Sequence, residues 1–223
     1  MSGTERVRHG LTRQVVLDAA MRLADESGTA ALSMRKVADA LGSTPMALYN
    51  HVANKADLIT GLRDRVLDEI DPPGTDGDWR VEMRRNAVST NAALRRHPWI
   101  SDVWLQAGVT HTMLRSIDAR LACLRAAGFG AEAAYSAYHV LDNYVTGYSH
   151  QQSGFDTAFP TWRDGGLREV AGAALATEGV DELPHLVEHI RLHLDEPGHS
   201  HAGDFELGLD LLLDGLERLR TTT

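Results

Sequence analysis

The sequence predicts an all-α fold in two parts, an N-terminal three-helix helix-turn-helix DNA-binding domain over residues 1–71 and a C-terminal helical ligand-binding and dimerisation domain over residues 72–223. Three observations carry the fold class. Apolar residues recur at helical period along most of the chain. Hydroxyl and amide residues stand just ahead of those stretches, where their oxygens can accept orphan backbone N–H groups. Glycines and prolines fall between them, and the run Asp71-Pro72-Pro73-Gly74-Thr75-Asp76-Gly77-Asp78 is a break that no helix continues through. At 223 residues the chain is long enough to bury a proper core.

Residues 1–10 are polar and hold Arg6, Arg8 and His9; they read as a mobile start or as a basic arm able to reach a minor groove. Thr12 is placed to cap a helix to about Ser27, whose stripe is Val15, Val16, Ala19, Ala20, Leu23 and Ala24, with Gly28 as its stop. Ser33 caps a short helix from Arg35 to Leu41, in which Val37, Ala38 and Leu41 share a face. Gly42 follows, where a left-handed residue ends a helix without a Cβ penalty. Ser43 or Thr44 can cap the next helix, Pro45 to about His51, with proline at the first position, where its missing N–H costs nothing. Asn54 opens a fourth helix, to about Ile70, with Asp57 three residues on in a capping-box-like spacing.

Beyond the break, helices are expected over 79–97, 98–106, Thr110 to Ala127, 130–152, a short 167–176, 183–194 and 204–220. The 130–152 helix gathers every tyrosine except Tyr49, a pattern that suits a cavity wall or a subunit interface. Residues 153–180 are broken by glycines and are the least readable stretch. The last helix presents Phe205, Leu209, Leu212, Leu213 and Leu216 on a wide apolar face that wants a partner, so a glutamate at Leu212 or Leu213 is expected to give a monomer.

Two short helices around a glycine turn form a helix-turn-helix, whose second helix lies in the major groove of double-stranded DNA. Thr44, Pro45, Met46, Ala47 and Asn50 then face base edges, while Tyr49, His51 and Lys55 reach phosphates. Ser33 and Arg35, at the start of the preceding helix, complete the expected DNA-binding set. A generic helical hairpin with these as surface residues is the alternative. The net charge of −9 at first argues against DNA, but it is uneven. Residues 1–60 carry seven basic and six acidic side chains, the remainder fifteen and twenty-five, and both lysines, Lys36 and Lys55, fall in the helix-turn-helix. A near-neutral head on an acidic body is compatible with local phosphate contacts.

The string R-K-V-A-x-x-L-G-S-T-x-x-x-L-Y-x-H-V-x-x-K-x-x-L resembles the tetracycline-repressor (TetR-type) family of bacterial transcription regulators. The dense part covers Leu11 to Leu67, and Leu48-Tyr49-x-His51 followed by Lys55 is its most specific element. A weaker likeness continues in Trp79, Gly128-Phe129 and Leu183-Pro184. The resemblance implies a repressor that binds a palindromic operator as a homodimer, joined by a four-helix bundle of residues 130–152 and 204–220, and released by a small effector. Drug-binding members hold a magnesium complex partly through a His and a Glu. Counted from Gly128-Phe129, those positions fall on Trp104 and Gln151, which are poor magnesium ligands. An uncharged or weakly polar organic effector is expected instead, in a cavity lined by Asn86, Trp104, Tyr135 and Asn143; the alternative is that these four are ordinary core residues of a domain that only dimerises.

No cofactor and no metal are expected. His185, His189 and His193 form an i, i+4, i+8 ladder that reads as a solvated face, with shared metal binding as the other reading. Cys123, the one cysteine, lies in a helical pattern as a packing residue. With no apolar run near the ~20 residues of a membrane span and no signal-peptide core, a cytoplasmic protein is expected. No nucleophile elbow, phosphate loop or zincin spacing suggests an enzyme. A ligand-binding or ligand-modifying protein with secondary DNA binding, and an activator, stay open as alternatives.

Overall fold

The computed structural model describes residues 10–104, 107–158, 166–195 and 201–222. The possible arm at Arg6, Arg8 and His9 lies outside the described residues. Within them the chain is helical, with no strand: α1 (Arg13–Ser27), α2 (Met34–Ala40), α3 (Pro45–Leu48), α4 (Lys55–Asp68), α5 (Trp79–Arg96), α6 (Ile100–Val103), α7 (His111–Ala126), α8 (Ala131–Ala158), α9 (Gly166–Leu175), α10 (Pro184–Asp195) and α11 (His201–Thr222). Short 3-10 turns stand at Thr29–Ala31 and Val180–Glu182.

The expected caps form. Thr12, Ser33, Thr44, Asn54 and Thr110 each accept a backbone N–H three residues on, from Val15, Lys36, Ala47, Asp57 and Met113. Gly42 takes φ +60°, the left-handed turn that lets α3 follow α2 directly.

Three helices differ in length from the sequence pattern. The α-form of α3 stops at Leu48 rather than near His51, because the next turn tightens: Asn50 N–H bonds Ala47 and His51 N–H bonds Leu48, both three residues back. The expected helix over 98–106 starts at Ile100 instead of residue 98, since Ile100 and Asp102 close tight bonds onto His97 and Trp99; its expected end at Leu105 and Gln106 lies outside the described residues. α8 runs on to Ala158, past Gly154. One glycine costs a helix only about 1 kcal/mol. Ser153 and Thr157 also donate to carbonyls four residues back within it.

Two apolar cores form. The first joins α1, α2, Leu48, Val52 and α4, and extends past the Pro-Pro-Gly break to Ala93, Leu94, Trp99, Ile100 and Val103. The second packs Trp79, Met83 and Ala87 of α5 with Leu124, Phe129, the inner face of α8 and Phe205, Leu209, Leu213 and Leu216 of α11. Along the rim of α5 and α11, Arg80 pairs with Asp214, and Arg84 with Asp210 and Glu206.

Charged residues tie the first core together at its edge. His97, at the end of α5, sets Nδ1 2.7 Å from Asp25 of α1 and Nε2 3.2 Å from Glu69. Trp99 Nε1 donates to the same Asp25 oxygen at 2.7 Å. Burial works to raise the Glu69 carboxyl, but hydrogen bonds from Arg96 and His97 outweigh it and hold it below its ordinary range.

Candidate DNA-binding face and effector cleft

The recognition segment is seated by its one buried side chain, Leu48, and by Val52 just after it. No other side chain on α3 is buried. Thr44, Pro45, Met46, Tyr49 and Asn50 are exposed, and Ala47 and His51 are half-buried. Met46 is 75% exposed, an apolar side chain held in water at the tip of the head, where it can meet a thymine methyl. Arg35 is exposed on α2, 3.9 Å from Asp39, and Ser33 is committed as the cap. Lys55 donates from Nζ to the Thr29 carbonyl at 3.2 Å, which aims the ammonium and leaves its other protons for a phosphate.

A clasp that local sequence pattern did not reveal fixes the end of this segment. Arg13 of α1 forms two parallel bonds to Asp57 of α4, 3.0 and 2.7 Å, and also donates to the His51 carbonyl at 2.9 Å. The same Asp57 accepts from Ala53 N–H at 2.8 Å. The Arg13 hydrogen bond pulls the Asp57 carboxyl below its ordinary range. A depressed carboxylate contributes stability above its unfolded value, lost as pH falls through the folded one. Asp57→Asn is therefore expected to cost about 1 kcal/mol at neutral pH, a figure kept small by solvent around both partners. Thermal melts across pH test this: the gap between wild type and variant should close in acid, and a gap constant down to about pH 2 would count against the clasp.

In the C-terminal part a cleft of about 400 Å³ opens between α8 and the α5–α6 corner. Leu94, Ile100, Ser101 and Trp104 form one wall; Asp142, Asn143, Thr146, Gly147 and His150, all on one face of α8, form the other. Of the four expected lining residues, the structure brings Trp104 and Asn143 together here. Asn86 is elsewhere. It is buried and fully used, donating to the Asp71 carbonyl at 2.7 Å and accepting from Arg120 Nε at 3.1 Å. The chamber it lines with Arg120, Tyr138 and Asp142 measures about 20 Å³, room for a water and not for an effector. Tyr135 does not line the cleft; it is 63% exposed on the outside of α8, edge-on to His139. Thr146 and Gly147 carry no amide or aromatic signal of the kind that marks Asn143 and His150, but their spacing from Asn143 places them on the same face.

Arg120 and Asp142 join these spaces. Arg120, buried, donates from Nη1 to Asp142 at 3.1 Å, so the charge facing the cleft is balanced from behind. Burial pushes the Cys123 thiol up to about 11, which makes it a packing group. His185 and His189 are on the exposed side of α10, and the His193 side chain lies outside the described residues. Among the described residues no three His, Cys, Asp or Glu converge as a metal site, and no helix is long and apolar enough to cross a membrane.

Residues 16–62 match the profile of bacterial regulatory proteins of the tetR family, and residues 71–220 that of the tetracyclin repressor-like C-terminal domain. The chain belongs to the TetR family. It is 34% identical over 145 residues to the HTH-type transcriptional repressor DrrR1 of Streptomyces coeruleorubidus, covering 64% of this chain and 54% of that one, about half its length. The class C tetracycline repressor protein of Escherichia coli is 28% identical over 216 residues, 96% of this chain and 94% of its own. Among solved structures, a single-residue variant of TetR from Acinetobacter baumannii AYE in complex with minocycline superposes with a TM-score of 0.70 at 27% identity, covering 96% of both chains. The protein is thus a TetR-family transcriptional regulator, with its helix-turn-helix at the N-terminus and its ligand-binding fold behind it.

Proposed function

We propose that the protein is a cytoplasmic repressor that binds a palindromic operator as a homodimer and leaves it when a small organic effector enters the C-terminal domain, without turning that molecule over. The observation that carries this reading is the seating of the recognition segment: one buried leucine and a three-way arginine clasp hold an otherwise solvent-facing set of base-type and phosphate-type donors. A two-turn reader contacts few bases, and each good contact discriminates by about 1–3 kcal/mol, so two copies on a two-fold axis are needed for a specific operator. Residues 130–152 and 204–220 supply the subunit contact, consistent with the exposed Val140, Leu207 and Leu211 on their outer faces. We place the domain boundary at 71/72, in the Pro-Pro-Gly break.

The effector cleft lies between α8 and the α5–α6 corner in this reading. The A. baumannii relative holds minocycline. Here Trp104 and Gln151 stand where the drug-binding members need a His and a Glu, so a magnesium-bound drug is not expected.

A shift assay on DNA flanking the protein's own gene tests the reading. Lys55→Ala should weaken binding to all sequences and flatten the salt dependence by about one unit of log–log slope. Asn50→Ala should relax sequence preference more than it lowers non-specific affinity. A wild type that shows no sequence-selective shift would overturn the proposal.

A further inference from the structure

His97 closes α5 and is buried. Both of its ring nitrogens meet carboxylates from the N-terminal part of the chain. Nδ1 stands 2.7 Å from Asp25 Oδ1 on α1, and Nε2 stands 3.2 and 3.4 Å from the two Glu69 oxygens just past α4. The charged groups facing the ring are these two carboxylates and, beside it on α5, Arg96, which donates to Glu69 Oε2 from Nε at 3.1 Å and Nη2 at 2.6 Å. Trp99, on the way into α6, donates to Asp25 Oδ1.

This geometry asks for a particular form of the ring. Asp25 Oδ1 accepts from an indole N–H, a group that can only donate, so that oxygen is an acceptor and Nδ1 must donate to it. Burial works to raise the Glu69 carboxyl, but hydrogen bonds from Arg96 and His97 hold it below its ordinary range, so it accepts as well. Only the imidazolium carries an N–H on both nitrogens; a neutral ring that keeps Nδ1–H turns the Nε2 lone pair on a carboxylate.

We propose, on the reading that the protein binds an operator, that His97 is a proton-controlled clasp between the C-terminal domain and the DNA-binding head, closed when its ring is protonated, and that closure favours the operator complex. With the second proton, one ring ties α1 and the end of α4 to α5. Without it, the contact to Glu69 turns repulsive and the head is held less firmly. A head fixed in advance loses less freedom on engaging DNA than a loose one. The clasped state binds the proton more tightly than the open state, so its advantage is present in mild acid and is lost as pH rises through the titration of the ring. Histidine is the side chain suited to such a change between about pH 5 and 8.

The test uses full-length protein, His97→Gln and Glu69→Gln. Glutamine at 97 does not titrate. Glutamine at 69 offers an N–H to a neutral Nε2 and an oxygen to Arg96, so it keeps the clasp closed without the second proton. Nitrogen NMR of labelled histidine, with the His97 signal assigned by its loss in His97→Gln, should show both ring nitrogens protonated on the acid side and Nδ1 alone on the alkaline side. From about pH 6 to about pH 8.5, affinity for DNA flanking the protein's own gene should fall about tenfold further in wild type than in either variant, the equivalent of one unit of linked titration. Over the same range wild-type Tm should drop about 3 °C further than that of His97→Gln. A His97 ring that stays neutral throughout would overturn the clasp, as would a melting difference that does not change with pH. Operator affinity with the same pH dependence in all three proteins, or one that rises with pH in wild type relative to the variants, would overturn the link to DNA. Wild type with no sequence-selective shift at any pH would instead sink the regulator reading, while the NMR and the melts still decide the clasp.

Discussion

Arg63→Met is expected to cost about 3–5 kcal/mol, the usual consequence of removing one partner from a buried charged network, and for a chain of this size to lower Tm by roughly 10 °C. Arg63 lies on α4 with its side chain 1% exposed. Its guanidinium donates to the carbonyls of Ala107 and Gly108 at 3.1 and 2.6 Å, to Thr110 Oγ1 at 3.1 Å, and to Asp64 at 3.2 Å. Methionine fills much of the same space but donates nothing. Two carbonyls lose their partners and the Asp64 carboxylate, only 24% exposed, is left with Thr110 alone. Asp64→Asn is the milder control, because the guanidinium keeps both carbonyls and the hydroxyl. Denaturant unfolding of both variants checks this. If Arg63→Met loses no more than Asp64→Asn, the arginine carries little of the network. The contact also matters for signalling in the proposed function: it ties α4, which carries the head, to the segment joining the effector cleft to α7.

Helix order is legible in the sequence because its cues are local. Ser33, Thr44 and Asn54 cap within three residues of where they stand, and Gly42 turns where it stands. The outward face proposed to read DNA is legible for the same reason, since the exposed and half-buried positions from Thr44 to His51 flank one buried residue, Leu48. Long-range polar contacts are not. Arg13 finds Asp57 forty-four residues away, and Arg63 finds Gly108 across forty-five. An arginine at a helical position reads as solvated until the structure supplies carbonyls for it. The sequence pattern shows His97 only as the end of a helix, though it bridges two acidic residues on α1 and at the end of α4. The cleft proposed for the effector is half legible. Trp104 and Asn143 share a cleft, whereas Asn86 is engaged by Asp71 and Arg120, partners no spacing rule identifies.

If the protein is the proposed homodimer, Leu211→Glu, and not a change at Leu213, is expected to convert it into folded monomers that lose the full operator. The last helix is apolar on more than one side, so its pattern does not say which side meets the chain's own core. The structure separates them. Leu209 and Leu213 are 0% and 2% exposed, packed in the second core with Phe205 and Leu216. Leu207 and Leu211 are 62% and 64% exposed, one turn apart on the opposite side. Glutamate at 213 would bury a carboxylate with no cation placed for it, a cost of several kcal/mol, and the chain would unfold instead of dissociating cleanly. Leu212 is only half-buried and packs against that core, so it is a mixed probe. Glutamate at 211 leaves the protomer's core untouched and sets two like charges across a two-fold contact, where desolvation is costly and nothing compensates. Sedimentation equilibrium should report a monomer with near-wild-type helicity and melting, and operator affinity should fall by at least about a hundredfold as the second half-site is no longer tethered. A Leu211→Glu protein that sediments as wild type does would place the subunit contact on another face.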